Sequence, residues 1–381
     1  MVVPPATEAG RGAASAFVAG LPLIRRLVLA ASCAGYGRVL VRDVPPGDRS
    51  PLAGTGASVL TPAGAVSPSS CQRVVSVPAN VLPQPRWLRA LLETPIEREK
   101  LYVDPSMVAI VETEQPGRVI AAAARSASAA ELLDTLRGMF DEVALPVESG
   151  GRFPLTSLRD IPEAEAWLLR SLVKQNEGFM SRHFERRISL ALTRRLAATS
   201  VTPNSMTLVS IAVGLAGAPC FLSASPAWQL AGALLFLAHS ILDGCDGELA
   251  RLKFLESRRG AAWDFWGDNL VHVAVFASIA IGWSLRVGAA WPLGLGAVAV
   301  AASLSSAAAM FARTVEDRAV AAGGSPATRL VGALASRDFI YVVVVVSAFG
   351  KAGWFLAAAA VGAPAFLLLI LWLDRHDGRV R

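Results

Sequence analysis

Hydrophobic and polar positions divide the 381-residue chain into two unlike stretches. Over 1–176, short apolar runs alternate with charges, prolines and glycines, the texture of a soluble α/β domain. Runs at 37–41, 73–77 and 107–112 read as short strands; 87–92 and 129–140 read as helices. The apolar stretch 17–32 is interrupted by Arg25 and Arg26, which argues against a signal peptide or a membrane span. From Ser205 onward, uncharged apolar blocks dominate. A bilayer core takes about 20 apolar residues per helix. The blocks 205–224, 269–285, 287–312 and 352–373 qualify, and 227–242 does so if it continues past Asp243. The block 339–350 is short and must borrow residues across Arg337-Asp338 or Lys351. The pattern therefore predicts six spans, the fifth resting on the least sequence.

Composition narrows the class. The chain is 53% hydrophobic and 17% charged, which excludes a disordered protein and argues against a wholly soluble enzyme. Its formal net charge of +6 is a mild excess that calls for no nucleic-acid partner. Threading six spans puts Arg194, Arg195, Arg251, Lys253, Arg258, Arg259, Arg313, Arg318, Arg329, Arg337, Arg375, Arg379 and Arg381 on one side, against Arg286 and Lys351 on the other. Basic residues concentrate in cytoplasmic loops, so a multi-pass protein of the inner (cytoplasmic) membrane is expected, with both termini and the active site cytoplasmic. Trp228, Trp283, Trp291 and Trp354, near span ends, read as interfacial anchors. Cys33, Cys71, Cys220 and Cys245 are scattered without a CxxC pair, so neither a disulfide framework nor a zinc site is indicated.

Ahead of the first span, 181–198 reads SRHFERRISLALTRRLAA. Phe184, Ile188, Leu192 and Leu196 recur at helical spacing, with Arg182, Arg186, Arg187, Arg194 and Arg195 around the rest of the helix. An amphipathic helix lying in the membrane interface accounts for this; a helix packed on the soluble domain is the alternative. The expected organisation is thus 1–176 soluble, 177–200 interfacial and 201–381 in the membrane.

The chemistry is concentrated in 243–268, DGCDGELARLKFLESRRGAAWDFWGD, at the junction of two apolar blocks. On a helix, Asp243 and Asp246 share one face, as do Asp264 and Asp268. A turn between the helices brings the faces together at the cytoplasmic end of the spans. Four uncompensated carboxylates there would repel and lose solvation, and divalent cations remove both problems. Hard oxygen ligands favour Mg²⁺ or Mn²⁺ over zinc. Gly247 and Gly260 leave space for a ligand to approach the helix backbone, and Arg251 could meet a phosphate or snorkel to headgroups. The competing view pairs the aspartates with Arg251, Lys253, Arg258 and Arg259 in a solvated loop.

Asp243, Asp246, Gly247, Ala250, Arg251, Gly260, Asp264 and Asp268 match D-x2-D-G-x2-A-R-x8-G-x3-D-x3-D at all eight fixed positions, across 26 residues. The segment resembles the signature of the CDP-alcohol phosphotransferases. That resemblance implies six transmembrane helices, a site at the cytosolic interface, and transfer of a substituted phosphate from a CDP-alcohol donor to an alcohol or phosphorylated-alcohol acceptor with release of CMP. It implies that Asp243, Asp246 and Asp264 hold the metals, with Asp268 a further ligand or the catalytic base. Gly247, Ala250, Arg251 and Gly260 would line the CDP pocket, joined by Asn204, because Thr202-Pro203-Asn204 resembles the family's motif at the first span. A homodimer is compatible with this architecture.

The soluble half carries fainter likenesses. Residues 18–41 resemble the early part of sugar-phosphate nucleotidyltransferases, which implies a Rossmann-type α/β fold. Residues 159–182 resemble the junction in fused inositol-phosphate cytidylyltransferase/di-inositol-phosphate phosphate synthases, as Arg337-Asp338 resembles that subgroup's fifth-span entry. The departures matter more. Of a Gly-rich phosphate loop only Ala9-Gly10-Arg11-Gly12 remains, without a nearby lysine; Asn80 stands where a metal-binding aspartate is expected; and Leu158 stands near Asp160 in place of another acid. The domain is expected to be a degenerate nucleotidyltransferase fold.

For the acceptor, Arg313, Arg318, Arg329 and Arg337 are available, although the positive-inside bias explains them equally well. His183, His239, His272 and His376 show no ligand spacing and read as packing residues. Within the enzyme class the soluble domain favours an inositol-phosphate-type acceptor, with phosphatidylglycerophosphate-type synthesis the nearest rival. From another class, a cation transporter could use the carboxylates, although transport favours acids nearer the bilayer midplane.

Overall fold

The computed structural model describes residues 1–42, 52–60, 71–146, 149–173, 180–317 and 339–377. The chain divides into two units, Met1–Ser171 and Leu172–Arg381.

Among the described residues, the first unit holds eleven strands: β1 (Val2–Val3), β2 (Phe17–Val18), β3 (Leu21–Pro22), β4 (Leu40–Val41), β5 (Ser58–Val59), β6 (Gln72–Pro78), β7 (Val81–Pro83), β8 (Lys100–Val103), β9 (Ala109–Thr113), β10 (Asp141–Ala144) and β11 (Arg152–Pro154). Its helices are α1 (Glu8–Ala14), α2 (Leu23–Ala34), α3 (Pro85–Glu93), α4 (Pro116–Arg125), α5 (Ala129–Arg137) and α6 (Ile161–Arg170). Seven strands form one sheet in the order β10-β8-β9-β6-β1-β4-β5. It is mixed: β9 runs antiparallel to both β6 and β8, while β1, β4, β5 and β6 pair in parallel. Ala109, Ile110 and Val111 are all buried, so β9 is covered on both faces. Leu101, Val111, Val119, Ala123, Leu132 and Leu136 belong to the core on one side.

The apolar run at 17–32 becomes a hairpin turning through Ala19 and Gly20, both at positive φ, followed by α2. The strand expected at 37–41 shortens to β4. The one expected at 107–112 starts only at Ala109, because Asp104 Oδ1 accepts from the amides of Ser106 (2.7 Å) and Val108 (3.1 Å) and closes a turn there. The helix expected to reach Phe140 stops at Arg137, where the amides of Met139 and Phe140 converge on the Leu136 carbonyl.

The second unit is helical. A π-helical turn (Ser181–Glu185) leads into α7 (Arg186–Ala197), followed by α8 (Pro203–Gly217) with a 3-10 extension (Ala218–Leu222). Then come α9 (Pro226–Lys253), α10 (Arg258–Val287), α11 (Trp291–Asp317), α12 (Phe339–Ala348) and α13 (Ala352–Asp377). Among the described residues, five helices are long and apolar enough to cross a membrane: extended α8, α9, α10, α11 and α13. The ten described residues of α12 are too few by themselves, so the six-span count is not reached among the described residues. α9 runs unbroken past Asp243, as its length required. The block 287–312 loses its first residues, because Gly288 adopts a left-handed conformation (φ 64°) and ends α10.

The spans pack closely where side chains are small. A Cβ on Gly214 of α8 would stand 2.5 Å from a methyl of Val271 and 3.0 Å from Cγ of His239, so α8 lies directly against α9 and α10 only because hydrogen occupies that position. The apolar row expected on 181–198 splits. Phe184 and Ile188 are exposed, Leu192 and Leu196 lie against Met206 and Leu249, and the face buried against α9 is the small polar one: Glu185, Ser189, Thr193 and Ala197. The side chains of Arg182, Arg313 and His376, and all of Arg318, Arg329, Arg337, Asp338, Arg379 and Arg381, lie outside the described residues.

Candidate metal centre

α9 ends because Phe254 takes a left-handed conformation (φ 57°) and the next amide, Leu255, bonds back to the Ala250 carbonyl at 2.8 Å. α10 starts because Ser257 Oγ accepts the Gly260 amide at 3.0 Å. The turn between them is so short that the helices run back alongside each other. At 1.5 Å of rise per residue, Asp246 and Asp264 each lie about 10 Å from the turn and come level. Asp243 lies one turn beyond Asp246 on the same face.

The outcome is a three-carboxylate cluster. Asp243, Asp246 and Asp264 each present an oxygen, all within 4.8 Å of one another. Asp243 and Asp246 are buried, and Thr207 of α8 donates its hydroxyl to Asp246. Asp264 Oδ1 is buried without a hydrogen-bond partner among the described residues. If ionised at that spacing, each pair repels by at least about 3 kcal/mol at an effective dielectric of about 20. Three such pairs rival the whole stability of an ordinary domain, about 5–15 kcal/mol. The orphaned oxygen, the burial and the all-oxygen donor set fit a hard divalent cation.

Asp268 stands apart. Its Oδ1 lies 2.9 Å from His239 Nε2, so the expected four-ligand set is gathered only in part. It sits one turn farther from the hairpin end than Asp264, where His239, one turn before Asp243, meets it. Asn204 comes to Gly260: its Oδ1 lies 3.3 Å from where a Cβ on that glycine would be. Arg251 folds over Gly247, with Nη1 3.5 Å from the corresponding point, and Ala250 is half-buried one residue before it.

The loop bases serve other ends than a solvated aspartate network would require. Lys253 Nζ donates to the carbonyls of Thr199 (2.8 Å) and Val201 (2.9 Å), and Arg258 and Arg259 are exposed. A further acid of the segment, Glu248, is fully buried. It accepts from Ser189 Oγ (2.7 Å) and Thr193 Oγ1 (2.6 Å) and forms an ion pair with Arg186. Tyr341 of α12 donates to Glu185 at 3.1 Å, tying the same segment to a further helix. Glu248, Arg186, Ser189, Thr193, Thr207 and His239 were not legible as site residues. The available signal was spacing alone: Ser189 and Thr193 are four apart, as are His239 and Asp243.

In the first unit, Ala9-Gly10-Arg11-Gly12 lies within α1, whose N-cap Thr7 accepts the Gly10 amide at 3.1 Å. Asn80 Nδ2 donates to the Leu155 carbonyl at 2.7 Å. Asp160 accepts from the amides of Thr156 (2.6 Å) and Ser157 (3.0 Å), and Leu158 is exposed. These groups are occupied in shaping the backbone.

Residues 200–366, which contain the whole cluster, match the family model described as CDP-alcohol phosphatidyltransferase. The helical unit carries a CDP-alcohol phosphatidyltransferase domain. The bifunctional IPC transferase and DIPP synthase of Rubrobacter xylanophilus is 36% identical over 219 residues, 57% of this chain and 47% of that protein. The protein of the same description from Thermococcus kodakarensis is 40% identical over 122 residues, 32% of this chain and 27% of that one. The chain thus spans about half or less of the length of these curated relatives. Among solved structures, the phosphatidylinositol phosphate synthase of Mycobacterium tuberculosis with CDP-DAG bound aligns at 20% identity and a TM-score of 0.36, covering 49% of this chain and 94% of that one. A second crystal structure of that synthase is in complex with manganese and citrate.

Proposed function

We propose that the protein is an integral-membrane CDP-alcohol phosphotransferase that moves a substituted phosphate from a CDP-diacylglycerol- or CDP-inositol-type donor to an acceptor hydroxyl, releasing CMP. The observation that carries this reading is the three-carboxylate cluster at the end of the α9–α10 hairpin. Asp243, Asp246 and Asp264 hold Mg²⁺ or Mn²⁺, which when bound supplies the positive charge that a diphosphate and its leaving group require. Gly247 and Gly260 let the nucleotide approach the helices, Asn204 and Ala250 line its pocket, and Arg251 meets a phosphate. Asp268 takes the proton of the acceptor hydroxyl as the new P–O bond forms and the bond to CMP breaks.

In this reading α12 belongs to the fifth of six spans. The segment 177–200 lies in the interface with Phe184 and Ile188 toward lipid, and both termini and the site face the cytoplasm. Residues 1–176 are a Rossmann-type, nucleotidyltransferase-like domain that no longer makes CDP-alcohols: Asn80 and Asp160 are committed to the backbone and the phosphate-loop remnant is helical. The identity of the curated relatives favours an inositol-phosphate-type acceptor. The test is CMP release by purified protein given CDP-diacylglycerol or CDP-inositol, Mg²⁺, and a panel of inositol phosphate, glycerol phosphate and free alcohols. Release with one pair is expected; none with any pair would move the protein to cation transport, and CTP-dependent CDP-alcohol formation would overturn the reading of the first domain.

A further inference from the structure

Polar contacts settle which side of α7 is buried: Ser189 and Thr193 donate to Glu248, and Arg186 pairs with the same carboxylate. The opposite side is open. At about 100° per residue, Arg187, Ile188, Ala191 and Arg195 fall there within an arc of about 100°, and all four are exposed. Ile188 is 43% exposed and Phe184, one turn earlier, 49%. The only acid in 181–198 is Glu185, which is buried and accepts from Tyr341. Among the described residues neither Arg187 nor Arg195 forms an ion pair. Only 198–202 separate α7 from α8, so the C-terminal end of α7 stays within about 20 Å of the first span. Lys253 fixes that linker by donating to the Thr199 and Val201 carbonyls.

We propose that this face of α7 is a docking surface for anionic lipid headgroups, with Arg187 and Arg195 binding their phosphodiester oxygens while Phe184 and Ile188 enter the acyl region. The inference rests on the interfacial placement of 177–200 proposed above and adds the charge of the lipid to it. An apolar stripe alone would seat equally well on any bilayer, whereas a helix with uncompensated arginines is drawn to one whose surface is negative. The guanidinium fork matches phosphodiester oxygens, and its apolar stem lets the charge reach headgroup depth from a helix seated lower. Arg186 gives the contrast: on the same helix, its charge is already taken by Glu248 inside the protein. Because Glu248 follows Asp246 by two residues, the lipid contact and the carboxylate cluster are carried by one fastened pair of helices.

The experiment places a fluorophore on Ala191→Cys in the full-length protein, with Cys33, Cys71 and Cys220 replaced by Ser and Cys245 left buried. The protein is reconstituted into phosphatidylcholine vesicles carrying a small fraction of nitroxide-labelled lipid, either phosphatidylglycerol or phosphatidylcholine. The ratio of quenching by the two lipids reads the selectivity of the surface around α7. A basic residue close to an anionic surface is worth about fivefold in local lipid concentration. The ratio should therefore favour phosphatidylglycerol by at least about fivefold, and Arg187→Gln/Arg195→Gln should lower it by a similar factor. Phe184→Ser/Ile188→Ser should instead weaken quenching by both lipids together. Raising NaCl to about 0.5 M should reduce the ratio, whereas inorganic phosphate at matched ionic strength should leave it unchanged. A ratio near one in wild-type α7, or an undiminished ratio in the arginine variant, overturns the inference while the interfacial placement stands. Displacement by inorganic phosphate makes the arginines a soluble-anion site and overturns it too. If the arginine variant does not fold, the salt arm decides: a ratio indifferent to NaCl overturns the inference. Absence of quenching by either lipid removes the interfacial placement and this inference with it. CMP release, followed on the same vesicles, tests the phosphotransfer reading separately.

Discussion

Acids inside an apolar sequence stand out because leaving them unpaired there is expensive, and each must have a partner. That is why Asp243, Asp246, Asp264 and Asp268 were visible in the residue pattern. Their partners were not, because Thr207 and His239 are unremarkable residue types whose role depends on which helix faces them. Glu248 shows the difference. It belongs to the same acidic segment yet is saturated by Ser189, Thr193 and Arg186, so it is a fastening between α7 and α9. Arg186→Ala would leave that buried carboxylate without its counter-charge and should destabilise the protein by about 3–5 kcal/mol, read as a lowered Tm in detergent. Asp246→Asn or Asp264→Asn should act oppositely, relieving repulsion. Tm should hold or rise in metal-free buffer while Mn²⁺ affinity falls at least about tenfold. A variant that loses Tm without losing Mn²⁺ would contradict the assignment.

At the scale of elements, hydropathy located the long helices well and their ends poorly. Length and apolar content persist over 20 or more residues, whereas an end depends on one cap: Phe254 for α9, Ser257 for α10, Gly288 after Val287. Short strands were subject to the same limit, as β4 and β9 show, because a side chain such as Asp104 can claim the amides a strand would use. Tight helix contacts were silent in the pattern, since a glycine in a span looks like any other small residue. Gly214→Val should push α8 away from Val271 and the His239 ring, costing about 1–3 kcal/mol from overpacking, and should reduce CMP release more than its Tm shift explains. The cap of α6 offers a pH-dependent test. The Thr156 hydroxyl and nearby amides hold the Asp160 carboxyl below its ordinary value. A depressed folded-state value means that its contribution is present above the ordinary carboxylate range and is lost as pH falls through it. The Tm gap between wild type and Asp160→Asn should therefore shrink steadily below about pH 4.

For the whole molecule, the two units ask for different measurements. Binding to the folded state alone stabilises by about 2.7 kcal/mol at a ligand concentration one hundred times Kd. Saturating Mn²⁺ should accordingly raise the Tm of wild type, and should leave Asp264→Asn unmoved. Orientation can be read from Cys33, which is exposed in the first unit. With Cys71 and Cys220 replaced by Ser, a membrane-impermeant maleimide should label inverted vesicles and spare right-side-out ones; the reverse pattern would refute a cytoplasmic first unit. Asn80 carries a consequence for substitution. Its amide supplies a hydrogen to the Leu155 carbonyl, which an aspartate carboxylate would instead repel. An acid placed at that single position would thus damage the turn, so the site admits a carboxylate only if several neighbouring residues change together.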